Sequence, residues 1–125
     1  MIEKVRINVA LLVIDMQNGF CSDNGSVNAV GLPAKRLQPA ISPCVKLVAA
    51  ARDAEVPIIF TRYGYRSDYR DGGLMVHELM PDLKNGKTLI ANTWDTDILD
   101  ELAPRETDFV VDKNRPSSFY GTSLD

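Results

Sequence analysis

The sequence predicts an α/β fold built on a parallel β-sheet. Three short runs of apolar, largely β-branched residues support this prediction, at residues 9–14, 57–62 and 108–113. Runs of this length and composition are typical of strands buried on both faces of a parallel sheet. A segment with helical periodicity separates the first two runs, so we expect strand, helix and strand in that order.

Composition bounds the class of protein. With 125 residues, of which 45% are hydrophobic, the chain fits one domain with a hydrophobic core. A formal charge of -3 provides no basic surface for nucleic acid or an anionic membrane. The apolar runs are too short for a membrane span, residues 1–4 do not begin a signal peptide, and two cysteines without CxxC spacing indicate reduced thiols. We therefore expect a cytoplasmic protein.

Two charged residues lie at the carboxyl ends of predicted strands. Asp15 follows the first strand, and Lys113 ends the third. Ligands of open α/β sheets bind outside these strand ends, although an aspartate there often only caps a turn. If the two strands are neighbours, Asp15 and Lys113 lie side by side. A lysine beside a carboxylate in a crevice is a candidate for an altered pKa.

The helix between the first two strands is predicted to begin near Pro39 or Ser42, with Pro43 in its first position, and to end at Asp53. Its apolar face comprises Ile41, Cys44, Val45 and Val48. A short helix capped by Asp95 is expected before Pro104, and another is expected from about Gly121.

Arg62 ends the second predicted strand, where its guanidinium could hold a substrate carboxylate or carbonyl; the alternative is an exposed or ion-paired arginine. Residues 63–87 form a long predicted loop, either functional or mobile, which we expect to overhang the pocket. His77 is the single histidine of the chain and is interpreted as a solvated loop residue, because one histidine is a weak indication of a metal site.

Three segments together resemble the isochorismatase-like cysteine hydrolases. They are residues 12–21 (Leu-Val-Ile-Asp-Met-Gln-Asn-Gly-Phe-Cys), 93–95 (Thr-Trp-Asp) and 112–125, which begins Asp-Lys-Asn-Arg-Pro. That family includes isochorismatases, nicotinamidases, N-carbamoylsarcosine and ureidoacrylate amidohydrolases, and biuret hydrolases. The resemblance covers essentially the whole chain. It implies a three-layer α/β/α Rossmann-like fold with a parallel sheet.

The resemblance also implies site residues. Family members use an Asp, a Lys and a Cys as a catalytic triad; Asp15 and Lys113 match the first two, and the Cys is expected beyond residue 125. Phe20 matches an aromatic wall of the pocket, with a core residue as the alternative, and Phe119 matches a position that often faces the pocket. Arg62 lies near a substrate-binding position of some amidohydrolases. No cofactor and no metal are expected, since the Asp-and-His zinc pattern of nicotinamidases is not reproduced.

Four further positions bear on the resemblance to this family. Cys21 follows Asp15 closely, but relatives often carry a cysteine there without using it, so a buried core residue is the favoured interpretation. Glu55 and Asn92 stand where the family commonly has glycine. Trp94 is expected to be structural or an oligomer contact.

The implied function is hydrolysis of a small amide C–N bond, with a carbamoyl or ureido compound as substrate; hydrolysis of a vinyl ether, as in isochorismatases, is the alternative. Because the expected cysteine is absent, we expect residues 1–125 to be the first part of a single domain. Two alternatives stay open: a second polypeptide or swapped partner chain completes the sheet, or the chain is a non-catalytic interaction module. A homo-oligomer is expected, with neither nucleic acid nor membrane as partner.

Overall fold

A parallel sheet forms the centre of the fold. The structure, a computed structural model, describes residues 8–125. Its strands are β1 (Leu11–Ile14), β2 (Ile58–Tyr63) and β3 (Phe109–Lys113), all parallel, in the order β1-β2-β3. The predicted α/β class is confirmed. β1 and β3 are not neighbours, because β2 lies between them.

Helices and turns connect the strands. The α-helices are α1 (Asn18–Cys21), α2 (Ile41–Asp53) and α3 (Asp82–Asn85), and Met75–Leu79 forms a π-helical turn. Short 3₁₀ turns lie at Ser26–Val30, Ala34–Arg36, Gln38–Ala40, Trp94–Thr96 and Asp100–Leu102. Within residues 8–125, no helix has the length and hydrophobicity that crossing a membrane requires.

Helix α2 packs against one face of the sheet. Val13 of β1 and Phe60 of β2 lie in register on this face, and both are buried against Val48 and Ala51 of the helix. Complete burial of Phe60 stabilises the fold by about 1.5–3 kcal/mol. Strand alternation places Ile14 and Phe109 on the opposite face, where they are 55% and 60% exposed. Residues 8–125 thus cover one sheet face far better than the other.

A second core lies within the segment predicted as a long loop. Tyr63, Tyr65 and Tyr69 are buried there, together with Val27, Val76, Leu83 and Leu89. The hydroxyl groups stay hydrogen-bonded, since Tyr65 donates to Tyr63 Oη at 2.7 Å and Tyr69 donates to the Thr88 carbonyl at 2.6 Å. His77 is exposed, but it lies in the π-helical turn and not in a loop, and its Nε2 is hydrogen-bonded to the Tyr69 carbonyl at 3.0 Å. Part of the segment predicted as a loop therefore packs into a core, although more than half of its residues are exposed.

The start of α2 differs from the prediction. The helix begins at Ile41, directly after the 3₁₀ turn Gln38–Ala40, so Pro43 is its third residue and not its first. Because the first four N–H groups of a helix have no intrahelical partner, the missing N–H of Pro43 costs no hydrogen bond.

Both short helices predicted in the last third of the chain are absent from the described residues. Residues 94–102 form two separate 3₁₀ turns, and the Asp95 carboxylate accepts the backbone N–H groups of Ser26 and Leu89 instead of capping a helix. Gly121 has a left-handed backbone with φ of 66°. The five residues from Gly121 onward are too few to stabilise a helix by themselves.

Helix α2 ends in a Schellman motif around Glu55. The N–H of Val56 donates to the Ala51 carbonyl at 2.8 Å, and that of Glu55 donates to the Arg52 carbonyl at 3.1 Å. Glu55 itself has φ of 56°, a left-handed conformation that glycine adopts without a Cβ penalty.

We expect Glu55→Gly to stabilise the chain by about 0.5–1 kcal/mol, because relief of left-handed strain exceeds the entropic cost of glycine in the unfolded state. Urea unfolding at neutral pH measures this change. Ala54→Gly is the matched control, since Ala54 has φ of -86° and gains nothing from glycine. Equal or greater stability of Ala54→Gly would contradict the explanation.

Candidate active site

Asp15 leaves the sheet in a turn that redirects its carboxylate. Its φ is 54°, a left-handed conformation that aspartate tolerates better than most residues. Its N–H donates to the Thr61 carbonyl and to Thr61 Oγ1, at 3.3 and 3.1 Å. Thr61 Oγ1 in turn donates to Asp15 Oδ1 at 2.6 Å. The carboxylate therefore lies on the face of β2 that carries Thr61, with one oxygen held by a hydroxyl.

Lys113 reaches the other carboxylate oxygen. Its Nζ donates to Asp15 Oδ2 at 2.8 Å and to the Pro116 carbonyl at 2.9 Å, and it lies 5.1 Å from the centroid of the Tyr63 ring. The Lys113 side chain is 1% exposed, whereas that of Asp15 is 21% exposed. The structure thus brings Asp15 and Lys113 together across the intervening β2. Solvent reaches the pair from the side of Asp15.

Tyr63 forms a neutral aromatic support for the ammonium group. Burial raises the pKa of the Tyr63 hydroxyl above its ordinary value, so the ring remains uncharged at neutral pH. A cation over such a ring gains about 0.5–2 kcal/mol, depending on its desolvation. With the Asp15 carboxylate and the Pro116 carbonyl, the ring completes the surroundings of the buried ammonium.

An apolar pocket of about 130 Å³ lies beside Tyr63 and Pro116, the two residues that also contact the Lys113 ammonium. Phe20, Tyr63 and Pro116 are among its lining residues, and the rings of Phe20 and Tyr63 meet edge to face at 6.4 Å between centroids. The remaining lining residues are Val27, Leu32, Tyr65, Met75, Met80, Leu83 and Leu89. Phe20 is half-buried and also packs against both cores, and its contact with a substrate stays a prediction.

Arg62 lies apart from the Asp15 carboxylate. Strand alternation turns its side chain to the face opposite Thr61 and Tyr63. Its Nε and Nη2 both bind Asp112, at 2.5 and 2.9 Å, so the planar fork already has a carboxylate partner. Arg62 and Asp112 line a polar pocket of about 280 Å³, which Lys113 also lines together with Asn114 and Thr96. The ion-paired alternative describes this geometry, and a substrate contact by Arg62 stays a prediction.

Phe119 and the cysteines occupy other surroundings. The Phe119 ring is 61% exposed and lines neither the apolar nor the polar pocket. Cys21 is buried in the first core, and burial raises the pKa of its thiol above its ordinary value. The pKa of the half-buried Cys44 thiol is raised for the same reason. A catalytic thiol needs the opposite shift, so neither environment is that of an activated nucleophile.

Three residues that were not predicted from the sequence lie around the pair. Thr61 binds the Asp15 carboxylate, Tyr63 lies beside the Lys113 ammonium, and Gln17 binds Tyr63. Thr61 could have been found from strand alternation, because it faces the same side of β2 as Ile59 and Tyr63. Among residues 8–125, no group of three or more histidine, cysteine or acidic side chains could hold a metal ion.

A family model described as the isochorismatase domain matches residues 9–125. The chain belongs to the isochorismatase family. The resemblance inferred from the three sequence segments is confirmed.

Curated relatives of the chain include ureidoacrylate amidohydrolases. RutB of Acinetobacter baylyi is 32% identical over 128 residues, which cover 93% of this chain and 52% of the relative. RutB of Cronobacter sakazakii is 35% identical, with 93% and 55% covered. The chain spans about half the length of these relatives.

Solved structures show the same fold. A cysteine hydrolase from Pseudomonas syringae pv. phaseolicola matches with a TM-score of 0.75 and 32% identity, over 94% of this chain and 52% of that one. N-carbamoylsarcosine amidase from Thermoplasma acidophilum matches with a TM-score of 0.63 at 22% identity, over 95% and 59% of the two chains. The second match, at this lower identity, bears on the fold alone.

Proposed function

We propose that the chain supplies the acid–base half of a cysteine hydrolase that cleaves a small amide C–N bond. The observation that carries this proposal is the buried Lys113 ammonium bound at 2.8 Å to the partly exposed Asp15 carboxylate at the carboxyl end of the sheet. The similarity to ureidoacrylate amidohydrolases and to a cysteine hydrolase of known structure supports this class of reaction.

The proposed first step is acyl transfer to a cysteine that lies outside residues 1–125. Asp15 accepts the thiol proton, and the sulfur attacks the carbonyl carbon of the substrate, forming a C–S bond. Lys113 stabilises the thiolate and keeps Asp15 oriented. When the C–N bond breaks, Asp15 gives the proton to the leaving amine. Backbone N–H groups beside the cysteine would stabilise the oxyanion.

The proposed second step returns the enzyme to its starting state. Water attacks the thioester carbonyl while Asp15 accepts one of its protons, and the C–S bond breaks. The sulfur leaves as a thiolate and takes the proton back from Asp15. One amide and one water thus yield one acid and one amine, with no metal, cofactor or oxidant. The 21% exposure of Asp15 gives both the thiol and water a route to its carboxylate.

The proposed substrate is a carbamoyl or ureido compound. Similarity to ureidoacrylate amidohydrolases supports a substrate of this class. The guanidinium groups of Arg62 and Arg66 are less available to a substrate carbonyl, because Asp112 and Asp68 already bind them. The alternative reaction is hydrolysis of a vinyl ether, and the experiment that follows distinguishes it from amide hydrolysis.

The proposal is tested with the complete gene product that contains this chain. Ammonia and amine release is measured from a panel of ureido, carbamoyl and simple aliphatic amides. Isochorismate represents the vinyl ethers, and for it the release of the carbonyl product is measured, because it contains no nitrogen. We expect turnover of ureido or carbamoyl compounds and its loss after alkylation with iodoacetamide. Turnover that survives complete alkylation, or confined to isochorismate, would contradict the proposal.

Thr61 provides a milder test of the same site. Thr61→Val removes the hydroxyl that donates to Asp15 Oδ1, and a hydrogen bond to a charged group is worth about 1.5–3 kcal/mol. We expect kcat to fall about 10–100-fold, and Thr61→Ser to retain most of the activity because it keeps the donor. Steady-state kinetics of both variants measure the difference. Equal losses in Val and Ser would show that the methyl group matters more than the hydrogen bond.

The proposed assembly is a homo-oligomer. Trp94 is 52% exposed, so its ring is available for a contact with another subunit. Sedimentation of the gene product with and without Trp94→Ala measures the effect, and an unchanged monomer in both samples would contradict this part of the proposal.

A further inference from the structure

Gln17 is completely buried, although its amide is one of the most polar neutral side chains. Its Nε2 donates to the Tyr63 carbonyl at 2.8 Å and to the Thr96 carbonyl at 2.9 Å, while its Oε1 accepts the Tyr63 N–H at 2.7 Å. Both amide protons and the oxygen therefore have partners. Because an unpaired buried polar group costs about 1–3 kcal/mol, this matching is energetically significant.

The Gln17 side chain continues the sheet where the backbone of β1 turns away. Backbone pairing of β1 with β2 ends at Asp15 and Thr61, since Asp15 adopts a left-handed conformation. Two residues later, the Gln17 amide binds both the N–H and the carbonyl of Tyr63, the two groups that a directly opposite residue of an antiparallel strand would bind. One side chain thereby fixes the end of β2.

Tyr63 connects this amide to the ion pair. Its ring lies 5.1 Å from Lys113 Nζ, and Tyr63 is the residue of β2 in register with Lys113. On the other side, the Gln17 N–H donates to the Asp15 carbonyl at 2.9 Å, which closes the turn that presents the carboxylate. The Gln17 side chain thus contacts Tyr63, whose ring lies beside the Lys113 ammonium, and the Gln17 backbone contacts Asp15.

We propose that Gln17 is a positioning residue that holds the Asp15 carboxylate and the Lys113 ammonium in register through Tyr63. The inference rests on the proposed function of that pair. The amide is required because its site needs one acceptor and two donors on a single planar group. Glutamate of the same shape would place an oxygen against two carbonyl oxygens, and methionine would leave all three partners unpaired.

The test compares Gln17→Met with Gln17→Glu by NMR of the ¹⁵N-labelled complete gene product at neutral pH. The readout is hydrogen exchange of the Lys113 ammonium and its NOE to the Tyr63 ring. We expect exchange at least about tenfold faster in both variants, with loss of the NOE. Gln38→Met is the matched control, because the Gln38 amide also donates two hydrogen bonds, to Cys21 O and Asp23 Oδ1, but contacts neither residue of the pair.

Variants that lose stability yet keep the Lys113 exchange rate and NOE would overturn the proposal, since that is the result of a merely structural role. If neither variant folds, hydrogen exchange of the Gln17 side-chain amide is measured in the unmodified gene product. Exchange as fast as that of Gln38 overturns the proposal, and exchange at least about tenfold slower supports it. None of these readouts needs turnover, so failure of the positioning proposal can be told apart from failure of the hydrolase proposal. In an active gene product, Gln17→Met is expected to lower kcat with KM nearly unchanged.

Discussion

Asp15→Asn is expected to lower kcat for amide hydrolysis by about 10²–10⁴-fold, the usual contribution of a positioned general acid–base group. Asparagine keeps the shape of aspartate and can still accept from Thr61 Oγ1, but it cannot take a proton from a thiol. The Lys113 ammonium would lose the carboxylate that lies 2.8 Å away. Single-turnover and steady-state kinetics of the complete gene product measure the loss.

The control is Asp100→Asn, at an exposed aspartate in the 3₁₀ turn Asp100–Leu102. It removes the same charge and is expected to leave kcat unchanged. Circular dichroism of both variants verifies that the fold is retained. Retained turnover in Asp15→Asn would exclude Asp15 as the proton acceptor and, with it, the proposed mechanism.

The strands and the two charged residues were accessible from the sequence because local patterns encode them. Continuous β-branched runs predict buried strands, and the end of each run locates Asp15 and Lys113 at one edge of the sheet. The order of the strands was not accessible. All three runs are apolar, so no local pattern distinguishes the central β2 from β3 at its side.

Residues whose roles depend on distant partners were missed. Gln17 follows a strand in a polar segment and would ordinarily be assigned to solvent. Its burial depends on hydrogen bonds to residues 46 and 79 positions away. The tyrosines of residues 63–69 were assigned to a loop because glycine, arginine and aspartate surround them, yet hydroxyl hydrogen bonds make their burial favourable. Tertiary contacts override local composition at these positions.

Loss of the Arg52–Asp108 ion pair is expected to have the largest effect on stability. Arg52 of α2 binds Asp108 through both Nη atoms, at 2.9 and 2.8 Å, and the two side chains are 16% and 4% exposed. The Arg105 N–H also donates to Asp108 at 2.7 Å. Removing one partner leaves the other charge buried, so Asp108→Leu and Arg52→Met are each expected to cost about 3–5 kcal/mol in urea unfolding at pH 7.

The double variant separates the ion pair from general packing. Two apolar residues of similar volume leave no unpaired charge, so the Arg52→Met, Asp108→Leu pair is expected to recover most of the loss; additive losses would contradict this explanation.

The dependence of stability on acid pH gives an independent readout of the ion pair. The Arg52 guanidinium holds the pKa of Asp108 below its ordinary value, so its stabilising contribution is complete above about pH 4 and declines as the pH falls further. The double variant is therefore expected to lose less stability than the unmodified chain between pH 7 and lower pH, because it lacks the carboxylate whose protonation breaks the pair.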